Sequence, residues 1–340
     1  MKQKHLLFLP LILLYSLMRG QNPITTAVPF LSISPDARSS SLAGCGAASE
    51  ADVFSMYYNP AKYAFIKKNT SVGGGYSHWM KGGTHLFNIA AAQRVGTRSA
   101  LAASFRYHNG MTVDYHDEIG FLLDLYRPYD FAVDLTYAIR LNDAFSLALA
   151  GRYIQSAVFN SNNFFFNPVE KGRSIAFDLG MYYQKPVNLG VYNSQYALGT
   201  SITNMGSKME YGNGWNQDPI KTAIPTTLRL GTSLKTEFNK DHVLTCMVDF
   251  TRLLFCDTVG NFKEELLKIN YGLGLEYAWK DLAFVRTGYF NQPRLMGNRK
   301  YLSFGLGVAF NHFGIDAAYN MSTTSFHNTD YLLVDAHFFL

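Results

Sequence analysis

Few residues in this 340-residue chain are spaced for chemistry. The best placed are His108, His116 and Asp117, at or just beyond the end of one predicted strand. Two imidazoles beside a carboxylate could in principle move a proton. Nothing around them completes a reaction centre: no Gly-x-Ser-x-Gly and no His-Glu-x-x-His occurs. With nine histidines in the chain, such proximity arises by chance. His85 and His337 read as polar residues of a rim or interior. The cysteines are Cys45, Cys246 and Cys256, an odd and sparse set that argues against a disulfide framework. Cys246 and Cys256 could pair, but free thiols, buried or facing an apolar medium, are the better reading. No Cys/His cluster has metal-ligand spacing, so neither a metal nor a cofactor is expected. The chain is not read as an enzyme.

The more telling polar residues are Arg106, Asp134, Arg152, Asp178, Arg229, Asp249, Glu276 and Asp335. Each lies within an alternating run, on the face opposite the large apolar side chains. In residues 145–155, Phe145, Leu147, Leu149 and Tyr153 take one face; Ser146, Ala148, Ala150 and Arg152 take the other. Residues 269–279 and 301–310 repeat the pattern. A soluble sandwich would also alternate, with apolar residues inward. Length separates the two: these runs are ten to twelve residues long, against about five or six in ordinary sheets, and match the roughly ten needed to cross a bilayer.

Address and composition agree. Residues 1–20 carry a basic front (Lys2, Lys4, His5), an apolar run from Leu6 to Leu17 and Gly20 before Gln21, which is the layout of a signal peptide. Arg19 near the cut leaves an uncleaved anchor as the alternative. Aromatics make up 15% and charged residues 16% of the chain, the latter well under the ~25% of soluble domains. The net charge of +5 is scattered, so nucleic acid is not an expected partner. The sequence predicts an all-β fold: a 14-stranded antiparallel transmembrane β-barrel over 71–340, in the outer membrane of a Gram-negative cell. The strands are expected at 71–78, 84–94, 98–108, 130–141, 144–155, 173–184, 195–203, 225–237, 242–251, 268–279, 282–290, 300–310, 313–321 and 330–340. Tight turns such as Asn142-Asp143 and Lys280-Asp281 alternate with long links, the asymmetry of periplasmic turns and outer loops. The link 186–194 breaks the rhythm, being long where a tight turn is due. The chain ends in an aromatic strand, His337-Phe338-Phe339-Leu340.

Residues 21–70 do not alternate. They hold Pro23, Pro29, Pro35 and Pro60 and a Ser/Gly/Ala-rich run, and proline is excluded from central strands. Fourteen strands enclose more space than their side chains fill, so this segment is expected to plug the lumen as a hatch. In FSMYYNPAKYAF (54–65), Asn59-Pro60-Ala61 is a turn with Asn as cap and Pro at the first helical position. Tyr57, Tyr58, Tyr63 and Phe65 would wedge it against the wall.

AVPFLSISPDARSSSLAGCGAAS (27–49) and MYYNPAKYAF (56–65) resemble the amino-terminal region of the PorV/PorQ group of type IX secretion outer-membrane proteins, within the FadL-like barrels. The specific part is the run from Ile33 through Ser34, Pro35, Asp36 and Ala37 to Arg38. YLSFGLGVAFNHFGIDAAYNMS (301–322) resembles the group's last strands. Ser39 to Gly44 departs from the Gly- and Met-containing segment usual there, and the chain is short for the group, which suggests trimmed outer loops. The resemblance implies a non-enzymatic carrier. It would bind carboxy-terminal signal domains of secreted proteins at the large translocon barrel and deliver them to a PorU-like sortase, which anchors them to lipopolysaccharide. Candidate cargo-binding residues in the outer loops are Phe164, Phe165 and Phe166, near Phe159, with Tyr211 and Trp215; an acidic link carries Asp114, Asp117, Glu118 and Asp124. Aromatics exposed there need a partner, lipid or the barrel itself. The rival is a FadL-type transporter of hydrophobic small molecules, which would need an apolar route and a gap in the wall.

Overall fold

The computed structural model describes residues 26–79, 83–117, 119–158, 171–213, 217–254, 268–324 and 330–340. The strands are β1 Thr70–Trp79, β2 His85–Val95, β3 Ser99–Asn109, β4 Val113–His116, β5 Leu122–Tyr126, β6 Tyr129–Arg140, β7 Phe145–Ala157, β8 Gly172–Leu189, β9 Tyr192–Gly206, β10 Met209–Asn213, β11 Gln217–Thr222, β12 Thr227–Glu237, β13 His242–Leu253, β14 Asn270–Trp279, β15 Ala283–Asn291, β16 Lys300–Phe310, β17 Phe313–Ser322 and β18 Tyr331–Phe339. Fourteen of them form an antiparallel ring that closes where β1 pairs with β18, Ser71 opposite Phe339. The other four make two hairpins at the loop end: β4–β5 stands apart as its own sheet, and β10–β11 attaches to the top of β8. Two of the long links therefore carry strands of their own.

The alternation dictates which face meets lipid. Ile89, Leu135, Leu306 and Val308 are exposed on the outer surface, while Arg106, Asp134, Arg152, Asp178, Asp249, Glu276 and Asp335 are buried inside, with Arg229 largely so. A charge on the lipid side near mid-bilayer would cost about 2–4 kcal/mol for Arg or Lys. Cys246 faces outward and Cys45 is buried, both as free thiols; Cys256 lies outside the described residues.

The turn at Lys280-Asp281 has positive φ at both residues, as a primed turn matching the strand twist requires; Leu282 N closes it on Trp279 O at 3.0 Å, and Trp279 pairs with Ala283. The link expected at 186–194 is instead Gly190-Val191, because β8 and β9 run on and pair until Leu189 meets Tyr192. Pro186 misleads the sequence reading. It sits where β7 has already ended, opposite Tyr183 at Phe145. Gln184 donates its N–H to Ala144 on that side, and two residues on, the imino nitrogen of Pro186 points to the same vacated edge, so no ladder bond is lost.

Residues 26–66 run inside the ring, with short helical turns at Pro29–Ser32, α1 Ala37–Ser41, Ser55–Tyr57 and Pro60–Phe65. Val53, Phe54, Met56, Tyr57, Tyr58 and Tyr63 form one apolar cluster with wall alanines such as Ala90, Ala102, Ala138 and Ala148. The wall offers small side chains there because the segment fills the space.

Candidate functional site: the luminal segment and the loop-end hairpins

An irregular segment buried in a barrel has backbone donors and acceptors that must find partners. The wall supplies them from inward positions. Asn88 Nδ2 donates to Pro35 O at 2.7 Å, Ser146 Oγ to Ala61 O at 2.7 Å, Ser201 Oγ to Tyr58 O at 2.5 Å, and Ser233 Oγ to Ala48 O at 2.7 Å. Ser303 Oγ donates to Ser41 O at 2.8 Å and accepts from Ala43 N. Asp249 Oδ2 accepts from both Gly46 N and Ala47 N at 2.9 Å, and Asp335 Oδ2 from Ala37 N at 2.5 Å. These partners come from strands all round the ring.

The Asn59-Pro60-Ala61 turn is built as its residue types demand. Asn59 is fully buried; its Oδ1 accepts from Ala61 N at 3.1 Å, capping a turn with Pro60 at its first position. Its Nδ2 donates to Ala47 O at 3.0 Å and to Met181 O on β8 at 2.8 Å, tying the turn to the rest of the segment and to the wall. Such close approach needs bare backbone opposite: a Cβ on Gly199 of β9 would overlap the Ala47 carbonyl. Tyr57 and Tyr58 lie under the guanidinium groups of Arg106 and Arg229, 4.7 and 5.1 Å from the ring centres. Tyr63 instead braces the segment internally, its hydroxyl donating to Val53 O, and Phe65 packs on Tyr182.

The Ser34-to-Arg38 run does two jobs. Ser34 and Pro35 line a cavity of about 530 Å³ toward the loop end, together with Arg106, Arg229 and Tyr301. Asp36 caps α1, accepting from Ser39 N at 2.8 Å, and Ala37 is buried. Burial, then the charges of Asp52 and Asp335, raise the Asp36 carboxyl to about 7. Arg38 grips Glu276 of β14 with two bonds, 2.9 and 2.8 Å, and reaches Asp52 at 3.4 Å. Burial opposes ionisation of Glu50, but Lys235, Lys67 and Arg38 outweigh it and bring its carboxyl down to about 2. Lys62 is fully buried with its Nζ on Ser49 Oγ at 2.8 Å, and burial pushes its pKa down.

The wall has one irregularity beside the cavity, between Phe177 and Leu179, where β9 bulges away from β8. It is filled by a polar network. Arg152 pairs with Asp134 and, at 2.9 Å, with Asp178; Asp178 accepts from Asn204 N at 2.6 Å; Asn204 donates to Pro225 O at 3.0 Å.

The loop-end residues differ from expectation. Tyr211 is not a free rim aromatic: it lies on β10, is 7% exposed, and donates its hydroxyl to Ser156 Oγ at 3.0 Å. It packs with Phe30, Met209 and Ile224, because the β10–β11 hairpin turns this face toward the luminal segment. Phe159, Phe164, Phe165, Phe166 and Trp215 lie outside the described residues. Among the described loop-end residues, the most exposed large apolar side chains lie in the 111–125 stretch, read above only for its acids: Ile119 is 80%, Phe121 70%, Met111 56% and Leu122 52% exposed. Asp117 serves this hairpin's turn, accepting from Ile119 N and Phe121 N. His108 is held by Asp130 at 3.1 Å and stacked on Phe30, a brace between wall and luminal segment.

The model of the family described as "Type IX secretion system protein PorV" matches residues 17–259. No curated relative matches the chain significantly. Among solved structures, the Pseudomonas putida toluene transporter TodX is similar at a TM-score of 0.56 and 11% identity, covering 90% of this chain and 98% of that one. The Ralstonia pickettii toluene transporter TbuX follows at 0.53 and 13%, covering 89% and 96%. A Pseudomonas aeruginosa FadL homologue gives 0.50 and 12%, covering 90% and 98%. At such identity these show the fold: the FadL-like outer-membrane barrel. With the family match, the closed ring of fourteen strands places the protein in the Gram-negative outer membrane. On the match over most of its length, the chain belongs to the PorV family of type IX secretion.

Proposed function

We propose that this barrel is a membrane-held carrier of the type IX system. It captures the carboxy-terminal signal domains of secreted proteins at the translocon barrel and presents them to a PorU-like sortase for attachment to lipopolysaccharide. The observation that carries this reading is the division of the molecule. The lumen is occupied by a segment bonded to the wall on all sides, while among the described loop-end residues the most exposed apolar surface stands outside, on the β4–β5 hairpin around Ile119, Phe121 and Leu122. Exposed apolar patches of this kind mark interaction surfaces, and a β-sandwich signal domain offers strands and apolar pockets to meet one.

A FadL-type transporter of hydrophobic small molecules shares the fold and has a cavity near the loop end to recommend it. Such a route needs an apolar exit through the wall. The irregularity between β8 and β9 is instead sealed by Arg152, Asp178 and Asn204, which favours the carrier.

The test is gentle purification of the tagged protein from native outer membrane, with and without sortase, as wild type and as Ile119→Ser/Phe121→Ser/Leu122→Ser. The expected result is capture of surface proteins sharing a carboxy-terminal signal domain, enriched without sortase and lost in the triple variant while the barrel stays folded. Recovery of lipids or fatty acids alone from the wild type overturns the carrier reading in favour of the transporter. Undiminished cargo on the triple variant removes the hairpin from it.

A further inference from the structure

Asp316 and Asp335 face each other directly across β17 and β18, on the luminal side. Like charges in that position destabilise a sheet, and both are buried, at 5% and 2% exposure. Each has one oxygen committed. Asp316 Oδ1 accepts from Arg286, and Asp335 Oδ2 from Ala37 N. The other two oxygens converge on His337 Nδ1, at 3.7 Å from Asp316 Oδ2 and 3.9 Å from Asp335 Oδ1. Among the described residues, Asp335 Oδ1 has no partner within hydrogen-bond distance.

We infer that Asp316, Asp335 and His337 form a divalent-cation site of the Mn²⁺ or Zn²⁺ class at the turn end of the lumen. The three donor atoms lie within 4.8 Å of one another. Their spacings are too long for hydrogen bonds and suit ligands about 2.0–2.4 Å from a shared ion. One imidazole with two carboxylates selects borderline metals over Mg²⁺ or Ca²⁺, which prefer oxygen alone.

Charge and shape support the assignment. The connected ion-pair cluster holds four carboxylates, Asp52, Glu276, Asp316 and Asp335, against two guanidinium groups, Arg38 and Arg286; four negative and two positive leave −2 before His337 is counted. A divalent cation neutralises it. Each ligand is also paired across the sheet with a glycine: Asp316 with Gly307, His337 with Gly314, Asp335 with Gly75. A Cβ at Gly307 or Gly314 would overlap Asp316 or the imidazole, so the side chains lie down over bare backbone. The outer bonds from Arg286 and Ala37 N fix the carboxylates, and the imidazole stacks on Phe339 at 5.7 Å. A cavity of about 300 Å³, shared with Arg38 and Asp52, leads to the three and gives room for water ligands. Because Asp335 also holds Ala37, the ion would clamp α1 to the last strand.

The folded barrel, extracted in detergent and stripped with a chelator, is dialysed against micromolar Mn²⁺ or Zn²⁺ at about pH 8, where a free imidazole is neutral. Retained metal is counted by mass spectrometry and affinity measured by calorimetry. The expected result is one ion per barrel, and a weakening beyond the about 10- to 100-fold typical of losing an outer hydrogen-bond partner in both His337→Phe and Asp316→Asn. If His337→Phe fails to fold, His337→Gln reports the same loss. No retained ion in the wild type, or equal retention in the variants, overturns the site.

Discussion

Asn59→Ala should unseat the luminal segment without unfolding the wall. The side chain is fully buried and makes three bonds: one capping Ala61 N, one to Ala47 O and one to Met181 O. Truncation leaves one donor and two acceptors without that partner. Each buried orphan costs about 1–3 kcal/mol, carbonyls least because a second lone pair can serve elsewhere, so a total of about 2–5 kcal/mol falls on the segment. The wall loses only the contact at Met181. The assay has two arms. Semi-native electrophoresis reports whether the barrel remains heat-modifiable. Protease cleavage within residues 26–66 and conductance in planar bilayers report whether the lumen is still blocked. The expected variant is folded, cleavable and conducting. Asn59→Asp sharpens the test: it keeps the acceptor for Ala61 N, loses the amide donor and sets a carboxylate against two carbonyl oxygens, so it must be worse than alanine. Wild-type protection and conductance in Asn59→Ala, or an aspartate milder than alanine, would refute the reasoning that the amide donor holds the turn.

Gly199→Ala should produce the same opening from the wall side, since its Cβ meets a backbone carbonyl of the luminal segment that cannot rotate away; overpacking of about 1–3 kcal/mol or more should appear as raised conductance, and an unchanged blocked barrel would contradict the close approach. Arg152→Met should lower the stability of the barrel by about 3–5 kcal/mol, because Asp134 and Asp178 are left buried without their main partner; the midpoint of urea unfolding measures this. Asp36→Asn keeps the cap on α1 and removes a proton equilibrium. A carboxyl raised to about 7 when folded and near its ordinary 3.8 when unfolded makes the wild type lose stability as pH climbs from about 4 to 7, then level off. The asparagine variant should lack that decline, so its advantage grows between pH 5 and pH 8 by about 1.4 kcal/mol per unit of the raised pKa traversed; parallel pH profiles would place Asp36 elsewhere.

Much of this fold is legible because a barrel wall obeys a strict period of two. Every inward charge named from the sequence is inward, and the strand bounds shift mostly by one or two residues. The exceptions have causes. Pro186 reads as a strand breaker, yet it occupies an edge that β7 has left. Tyr211 reads as an exposed aromatic because nothing local says that β10–β11 folds its face inward. The serines that hold the luminal segment were within reach: Ser146, Ser201, Ser233 and Ser303 all sit at inward positions of alternating runs, where a polar residue without charge is best explained by a backbone partner. Asp335 and His337 share a face of β18 by their spacing of two, but Asp316 joins them only through strand register, which leaves no sequence signature.

The same register bears on what a FadL-like fold can be used for. A conduit for hydrophobic molecules needs a lumen that can part from its plug and a wall that can open sideways onto lipid. Here the plug's backbone is answered by side chains fixed on rigid strands: Asp249 takes two successive amides, and Asn88, Ser146, Ser201 and Ser233 each take a carbonyl. Releasing the segment breaks these together, each a buried bond whose loss costs about 1–3 kcal/mol if unreplaced. The bulge that could serve as a side exit holds an arginine between two carboxylates. Both features stiffen the parts a transporter must move. A rigid, plugged cylinder with a greasy hairpin at its outer end is instead suited to hold position in the membrane while another protein binds and leaves. The fold is shared with the toluene transporters; in the carrier proposed above, the polar stitching of the lumen leaves the rim as the working surface.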